Sequence, residues 1–254
     1  MPYLKLDNGN VYFAEDIAND GIPLYFVHGS GGGHHHFGYQ VRDLNSNISP
    51  IALDLPGHGK SDGEAFANIE HYRNWLHQFI IKHNNGPFII AGHSMGGAIA
   101  LDYALTYKQD ILAIILISTG SRLKVLPDFL NALAKGIVPE NLASLLYGRG
   151  TDKELLEKGK KELELTDPSI LFADFSACNN FDVSDRLHEI NIPALILCGE
   201  EDKMTPLKYS HYLANNLSNG TMIEIKDAGH MVMIEKPEPV NEAISQFVEN
   251  QFSI

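Results

Sequence analysis

Ser94, Asp202 and His230 have the side-chain types and the settings needed for acyl transfer. Ser94 lies in Gly92-His93-Ser94-Met95-Gly96-Gly97, between the apolar run Pro87-Phe88-Ile89-Ile90-Ala91 and the alanine- and leucine-rich segment from Ala98 to Leu105. A serine flanked by glycines between a buried strand and a helix is the sequence form of a nucleophile elbow. The turn is so tight that the serine takes a strained backbone, and the residues two positions away on either side must lack a side chain. It also sets Ser94 at a helix N-terminus, where free N–H groups and the helix dipole favour negative charge. The five-residue pattern alone is a weak signal; the strand before it and the helix after it give it weight.

A serine hydroxyl hardly ionises near neutral pH, so it needs a base to take its proton. That base must in turn be held by a buried acid that fixes the imidazole tautomer. In hydrolases built on an elbow the chain order is serine, acid, histidine. Twelve histidines compete for the base. His230 is chosen because it sits in the loop Lys226-Asp227-Ala228-Gly229-His230-Met231, after the late strand-like run Thr221 to Ile225. His28 and His93 precede Ser94, and His58 lies in a glycine-rich turn that suits packing.

The acid belongs to Gly199-Glu200-Glu201-Asp202, which follows the run Ala194 to Cys198. Asp202 is preferred over Glu200 and Glu201, and Asp227 is too close to His230 in the chain to reach its ring. The developing oxyanion needs backbone donors. One is expected from Met95, directly after the nucleophile, and the other from Ser30 within His28-Gly29-Ser30-Gly31-Gly32. Their neighbours His28, Gly29, His93 and Met231 are expected to contact substrate.

The elements that must position these groups follow from hydrophobic periodicity. Leu4 to Leu6 and Val11 to Glu15 alternate across Asp7-Asn8-Gly9-Asn10, a hairpin signal. Ile22 to Val27, Pro50 to Asp54, the run before Ser94, Ile111 to Ile117, Ala194 to Cys198 and Thr221 to Ile225 read as buried strands. Between them lie helical stripes such as Asn68 to His83 and Leu207 to Leu217. Such alternation means a mostly parallel sheet with helices on both faces and an antiparallel hairpin at one edge. From Gly120 to about Asp182 strand-like runs stop and only helical stripes appear, beginning with Leu123, Leu126, Phe129, Leu130 and Leu133. An insertion of this kind reads as a lid over the edge where parallel sheets bind ligands.

The motifs together resemble the α/β-hydrolase superfamily, in its carboxylesterase and monoacylglycerol-lipase-like branch. They are His28-Gly29-Ser30-Gly31, Asp54-Leu55-Pro56-Gly57-His58-Gly59-x-Ser61, the Ser94 elbow, Gly199-x-x-Asp202-x-x-Thr205-Pro206 and Ala228-Gly229-His230. The resemblance implies an eight-stranded, mostly parallel α/β-hydrolase sheet, with residues 1-119 and 183-254 as core. An all-helical cap, 120-182, is implied after the sixth strand. It implies a serine hydrolase of short to medium carboxylic esters, and a structural role for the Asp54-to-Ser61 turn. Serine as nucleophile sets the chain apart from the haloalkane dehalogenases and epoxide hydrolases, which use aspartate. Thioesterases, cofactor-free perhydrolases (haloperoxidases) and carbon–carbon bond hydrolases use the same triad, although the last usually carry asparagine where this chain has His93. Outside enzymes, the alternative is a ligand-binding or signalling protein on this fold.

Composition bounds the partners. The chain has 254 residues, 44% hydrophobic content and a formal net charge of −13. That charge argues against nucleic acid and anionic membrane surfaces. No apolar run reaches the ~18 residues of a membrane span. The N-terminus lacks the pattern of a signal peptide, and Cys178 and Cys198 are too few for a disulfide framework, so a cytoplasmic setting is expected. The expected partner is a small-molecule ester, without stable membrane association; a homodimer is compatible with the sequence. No cofactor and no metal are expected. His34-His35-His36 offers ligand atoms, but consecutive side chains seldom point at one centre, so these are read as entrance or solvated residues. Arg122 and Lys124 read as surface cations or as groups that steer an anionic substrate.

Overall fold

The computed structural model describes residues 2–15, 21–84, 86–109 and 111–252. Among them eight strands form one sheet: β1 (Tyr3–Leu6), β2 (Gly9–Glu15), β3 (Ile22–Val27), β4 (Ile48–Leu53), β5 (Phe88–His93), β6 (Ile111–Ile117), β7 (Ala194–Gly199) and β8 (Gly220–Ile225). Their order is β1-β2-β4-β3-β5-β6-β7-β8. The hairpin β1–β2 joins β4 antiparallel, and every pairing from β4 to β8 is parallel.

Both faces of the parallel part are covered, which is why its strands read as unbroken apolar runs. Tyr25 and Val27 of β3, with Ile114 and Leu116 of β6, enter one hydrophobic layer. Leu24 and Phe26, with Ala113, Ile115 and Ile117, enter the other. Following the chain, α1 (Gly38–Asp43), α2 (Ile69–His83) and α3 (Met95–Thr106) connect the first strands. The side chain of Asn68 accepts from Glu70 N–H to start α2, which buries Tyr72, Trp75, Leu76, Phe79 and Ile80 in the first layer beside α3.

Four helices fill the run between β6 and β7: α4 (Pro127–Leu133), α5 (Leu142–Leu146), α6 (Lys153–Leu165) and α7 (Pro168–Asn180). Asp152 and Asp167 cap α6 and α7 by accepting from Glu154 and Ser169 N–H. Phe129, Leu133, Leu142, Leu171 and Phe175 give these helices a core of their own. The first helix is shorter than the leucine stripe suggests. It opens only at Pro127, whose fixed φ suits a first helical position, so Leu123 packs into the main core from a loop and Leu126 is 63% exposed. After β7 come α8 (Leu207–Asn216), α9 (Val232–Glu235) and α10 (Pro237–Phe252), the last two packed on the second layer.

Because β3, β5, β7 and β8 run parallel, the loops after them leave the same edge of the sheet. Those loops carry Ser30, Ser94, Asp202 and His230.

Candidate active site

Ser94 is the junction between β5 and α3, with φ 53° and ψ −114°. A conformation of this kind costs a non-glycine residue about 1–3 kcal/mol and persists only where the surroundings dictate it. Here the glycines dictate it. A Cβ on Gly92 would run into the Gly96 carbonyl, and one on Gly96 into the Val27 carbonyl oxygen. The elbow is tied down further by Ser94 N–H, which donates to Ile117 O at 2.9 Å, and by Thr119 Oγ1, which donates to Ser94 O at 2.7 Å.

His230 is buried and its Nδ1 lies 2.9 Å from Asp202 Oδ2. Burial opposes charge on Asp202. The facing imidazole and the Thr205 donors outweigh it and hold the carboxyl below the ordinary aspartate value. Thr205 Oγ1 donates to Oδ2 at 2.8 Å and Thr205 N–H to Oδ1 at 2.9 Å, and Met204 N–H also donates to Oδ1, at 2.8 Å. An ionised carboxylate only accepts, so His230 Nδ1–H donates to Asp202 and Nε2 is the ring nitrogen left for proton exchange.

The loop after β3 is organised by a carboxylate from α7. Asp174 is fully buried; its Oδ2 accepts from Gly31 N–H at 2.8 Å and from His58 Nε2–H at 2.9 Å, and its Oδ1 accepts from Tyr72 OH. His58 Nδ1 also faces an acceptor, Pro56 O at 2.9 Å, so both ring nitrogens donate and the ring is an imidazolium. Burial works against that charge, yet the Asp174 carboxylate raises the His58 pKa above its ordinary value. Gly31 N–H is thus committed to Asp174, and Gly32 N–H donates to Gly29 O at 3.1 Å. Gly29, Ser30 and Gly31 line one hollow with Ser94, and Ser30 also lines a second one beside it. Met95 opens α3, where a backbone N–H has no carbonyl in a preceding helical turn.

Histidines expected near the substrate divide in two. His28 does not reach a hollow at Ser94. It is fully buried, its Nδ1–H donates to Gly29 O at 2.8 Å, and its Nε2 accepts from Leu55 N–H at 3.0 Å. Both nitrogens are consumed in joining the loop after β3 to the turn after β4, so the expectation of a substrate contact is corrected to a supporting role. His93, by contrast, lines the same hollow as Ser94, Gly29, Met231 and His230. Its Nε2–H donates to His230 O at 3.0 Å, and its Nδ1 is buried without a hydrogen-bond partner among the described residues. Burial, then the adjacent His230, drives the His93 pKa far below the ordinary histidine value, so the ring is neutral.

Two hollows of about 50 Å³ each meet at Ser94 and Ser30. The first is walled by Leu146, Tyr147, Leu163, Phe175 and Met204, and the second by Leu123, Val125, Cys178 and Tyr209. Most of these side chains come from the segment between β6 and β7. That segment is fastened to the His230 loop: Met231 N–H donates to Leu146 O at 3.0 Å, and Glu235 accepts from Gly229 N–H at 2.9 Å and Gly148 N–H at 2.8 Å. Lys124 lines the second hollow and donates to Asn179 O, while Arg122 is 3.9 Å from Asp182.

Asp174, Thr205 and Glu235 were not singled out for a role by the sequence. Asp174 had a signal, as a lone acid in the apolar run Ile170-Leu171-Phe172-Ala173-Asp174-Phe175. Thr205 lies within the Asp202 motif itself. Glu235 has no local signal, since its partners Gly148 and Gly229 are placed by folding.

A serine beside a histidine held by a buried carboxylate, at the floor of an apolar hollow, is a set of groups able to carry out nucleophilic acyl transfer. Comparison with known proteins agrees with the fold. The chain is 30% identical to a thermophilic esterase of known structure, with TM-score 0.86 and 99% and 98% of the two chains covered. It is 28% identical to the (E)-2-((N-methylformamido)methylene)succinate hydrolase of Acinetobacter baylyi over 97% of each chain. It is 25% identical to a monoacylglycerol lipase of Rattus norvegicus, covering 82% of this chain and 69% of that one. Residues 24–243 match the model of the alpha/beta hydrolase family. The chain belongs to the alpha/beta hydrolase family and is a hydrolase.

Proposed function

We propose that this hydrolase cleaves carboxylic esters with small acyl groups through a Ser94–His230–Asp202 triad. The observation that carries the reading is the elbow conformation of Ser94 in a hollow it shares with His230, whose Nδ1 is fixed by buried Asp202. Ser94 Oγ attacks the ester carbonyl while His230 Nε2 takes its proton. The carbonyl oxygen becomes an oxyanion held by the N–H groups of Ser30 and Met95. The alcohol leaves with the proton from His230. Water, deprotonated by the same histidine, then attacks the acyl-enzyme and releases the acid and Ser94.

Asp202 has two duties in this scheme: it fixes the tautomer and it stabilises the imidazolium that forms in each transition state. The helices of residues 120–182 act as the cap that shapes the acyl and alcohol hollows, and their leucine and phenylalanine walls favour apolar ester groups. Hollows of about 50 Å³ fit chains of a few carbons without rearrangement of those helices.

A p-nitrophenyl ester series from acetate to palmitate tests this reading. Turnover is expected to be greatest at short acyl chains and to fall steeply beyond octanoate. A rate that rises toward palmitate would refute the small-acyl assignment, and no hydrolysis of any member would refute the esterase assignment.

A further inference from the structure

The histidine run is a poor metal site on sequence grounds because adjacent side chains diverge. In the folded chain a fourth residue gathers two of them. His34–Phe37 forms a single 3-10 turn, in which successive side chains point about 120° apart. His34 accordingly turns to Asp54, with Nδ1 at 2.8 Å from Oδ1. Glu162, on the inward side of α6, reaches the other two: its Oε1 lies 2.7 Å from His35 Nε2 and 2.8 Å from His36 Nε2. The three ligand-bearing atoms all lie within 4.8 Å of one another.

We propose that His35, His36 and Glu162 form a binding site for a divalent transition-metal ion of the zinc type, joining the turn after the Ser30 loop to helix α6. Two imidazole nitrogens and one carboxylate oxygen are a donor set that such ions accept in preference to magnesium or calcium. A tetrahedral ion with bonds near 2.0–2.1 Å wants its ligands ~3.4 Å apart. With all three atoms within 4.8 Å of one another, the widest present separation exceeds that by no more than about 1.4 Å. His35 can supply the movement because its side chain is 47% exposed, while His36, at 10%, is the fixed ligand. On binding, the ion takes the place of the two Nε2 protons, which pass to solvent, and each ring coordinates as the neutral tautomer with its one proton on Nδ1. His36 Nδ1 has no hydrogen-bond partner among the described residues and is open to that proton.

The site also has access to solvent. His35 and Glu162 line an open groove of about 570 Å³, whereas His36 and Glu162 line the hollow at Ser94. The ion would therefore sit in the wall between the two. Two features hold the affinity to a moderate range. Lys158 and Lys161 line the same groove, and His36 Nδ1–H would lack the acceptor that usually strengthens a metal-bound imidazole.

Calorimetric titration of the EDTA-treated, dialysed protein with zinc chloride tests the proposal without reference to turnover. One equivalent is expected to bind, with half-saturation below 100 µM zinc. His35→Ala and Glu162→Gln are each expected to weaken it tenfold or more, and His71→Ala and His211→Ala, both exposed elsewhere, to leave it unchanged. Zinc at 100 µM should also raise the melting temperature of the wild type and not of His35→Ala. Absence of binding at 100 µM zinc, or binding undiminished in both His35→Ala and Glu162→Gln, would overturn the site.

Discussion

The Asp174 carboxylate, delivered by α7, accepts a 2.8 Å hydrogen bond from the backbone N–H of Gly31, 143 residues earlier in the chain. That bond orients the peptide next to Ser30, so a residue in the inserted helices sets the geometry of the loop after β3. Asp174 is a positioning residue here, since it lines neither hollow at Ser94.

Asp174→Asn places an amide among three donors and leaves the buried His58 charge without its counter-ion. Loss of one member of a buried pair costs about 3 kcal/mol or more, read as a lower urea midpoint. Misplacing the Ser30 loop is expected to lower kcat by ten- to a hundredfold while KM moves little. A kcat within twofold of wild type would show that the loop holds its shape without this bond.

Asp202→Asn reverses the hydrogen-bond pattern at His230 Nδ1 and traps the wrong tautomer. Ester turnover is expected to fall by roughly 10³–10⁴-fold. Thr205→Val removes the hydroxyl that donates to Oδ2 at 2.8 Å and lies 3.3 Å from His230 Nδ1, and should cost about 1 kcal/mol of stability with a much smaller loss of rate. Equal losses in the two variants would argue that the Asp202 loop, and not its charge, is what matters.

Stability should peak near neutral pH. Burial pushes the pKa of both His28 and His93 well below the ordinary 6.5, so below that pH the unfolded chain binds protons the folded chain refuses. Stability therefore falls as the solution is acidified. His58 works in the opposite sense: with its pKa raised, its pairing with Asp174 is fully present below pH 6.5 and is lost as pH rises through the folded value. A melting temperature ~5 °C lower at pH 5 than at pH 7 is expected, with a shallower slope in His93→Asn. An unchanged slope in that variant would mean His93 is not held neutral.

Gly96→Ala should abolish folding at 37 °C or lower the melting temperature steeply, because the new methyl meets the Val27 carbonyl oxygen. Gly136→Ala, where nothing lies within 4 Å but φ is +75°, should cost far less. Circular dichroism melts compare the two directly.

The strands and the Ser94 elbow were legible because both depend on residues adjacent in the chain: apolar runs buried on two faces and glycines that permit one tight turn. The placement of His230 and Asp202 was legible at one remove, since loops after parallel strands must leave the same edge. Long-range hydrogen bonds were not. His28 looked like a substrate contact because it adjoins the Ser30 loop, but whether its ring turns inward or outward depends on Leu55 N–H, which only folding brings there. His35 and His36 diverge as neighbours and converge only on Glu162, more than 120 residues away.

The most direct test of the central claim is labelling with a fluorophosphonate probe, followed by intact mass and peptide mapping. Wild-type protein is expected to gain one adduct on Ser94, at a rate slowed strongly in Asp202→Asn, and folded Ser94→Ala to gain none and lose ester hydrolysis. An adduct at another residue, or hydrolysis that survives in Ser94→Ala, would contradict Ser94 as the nucleophile.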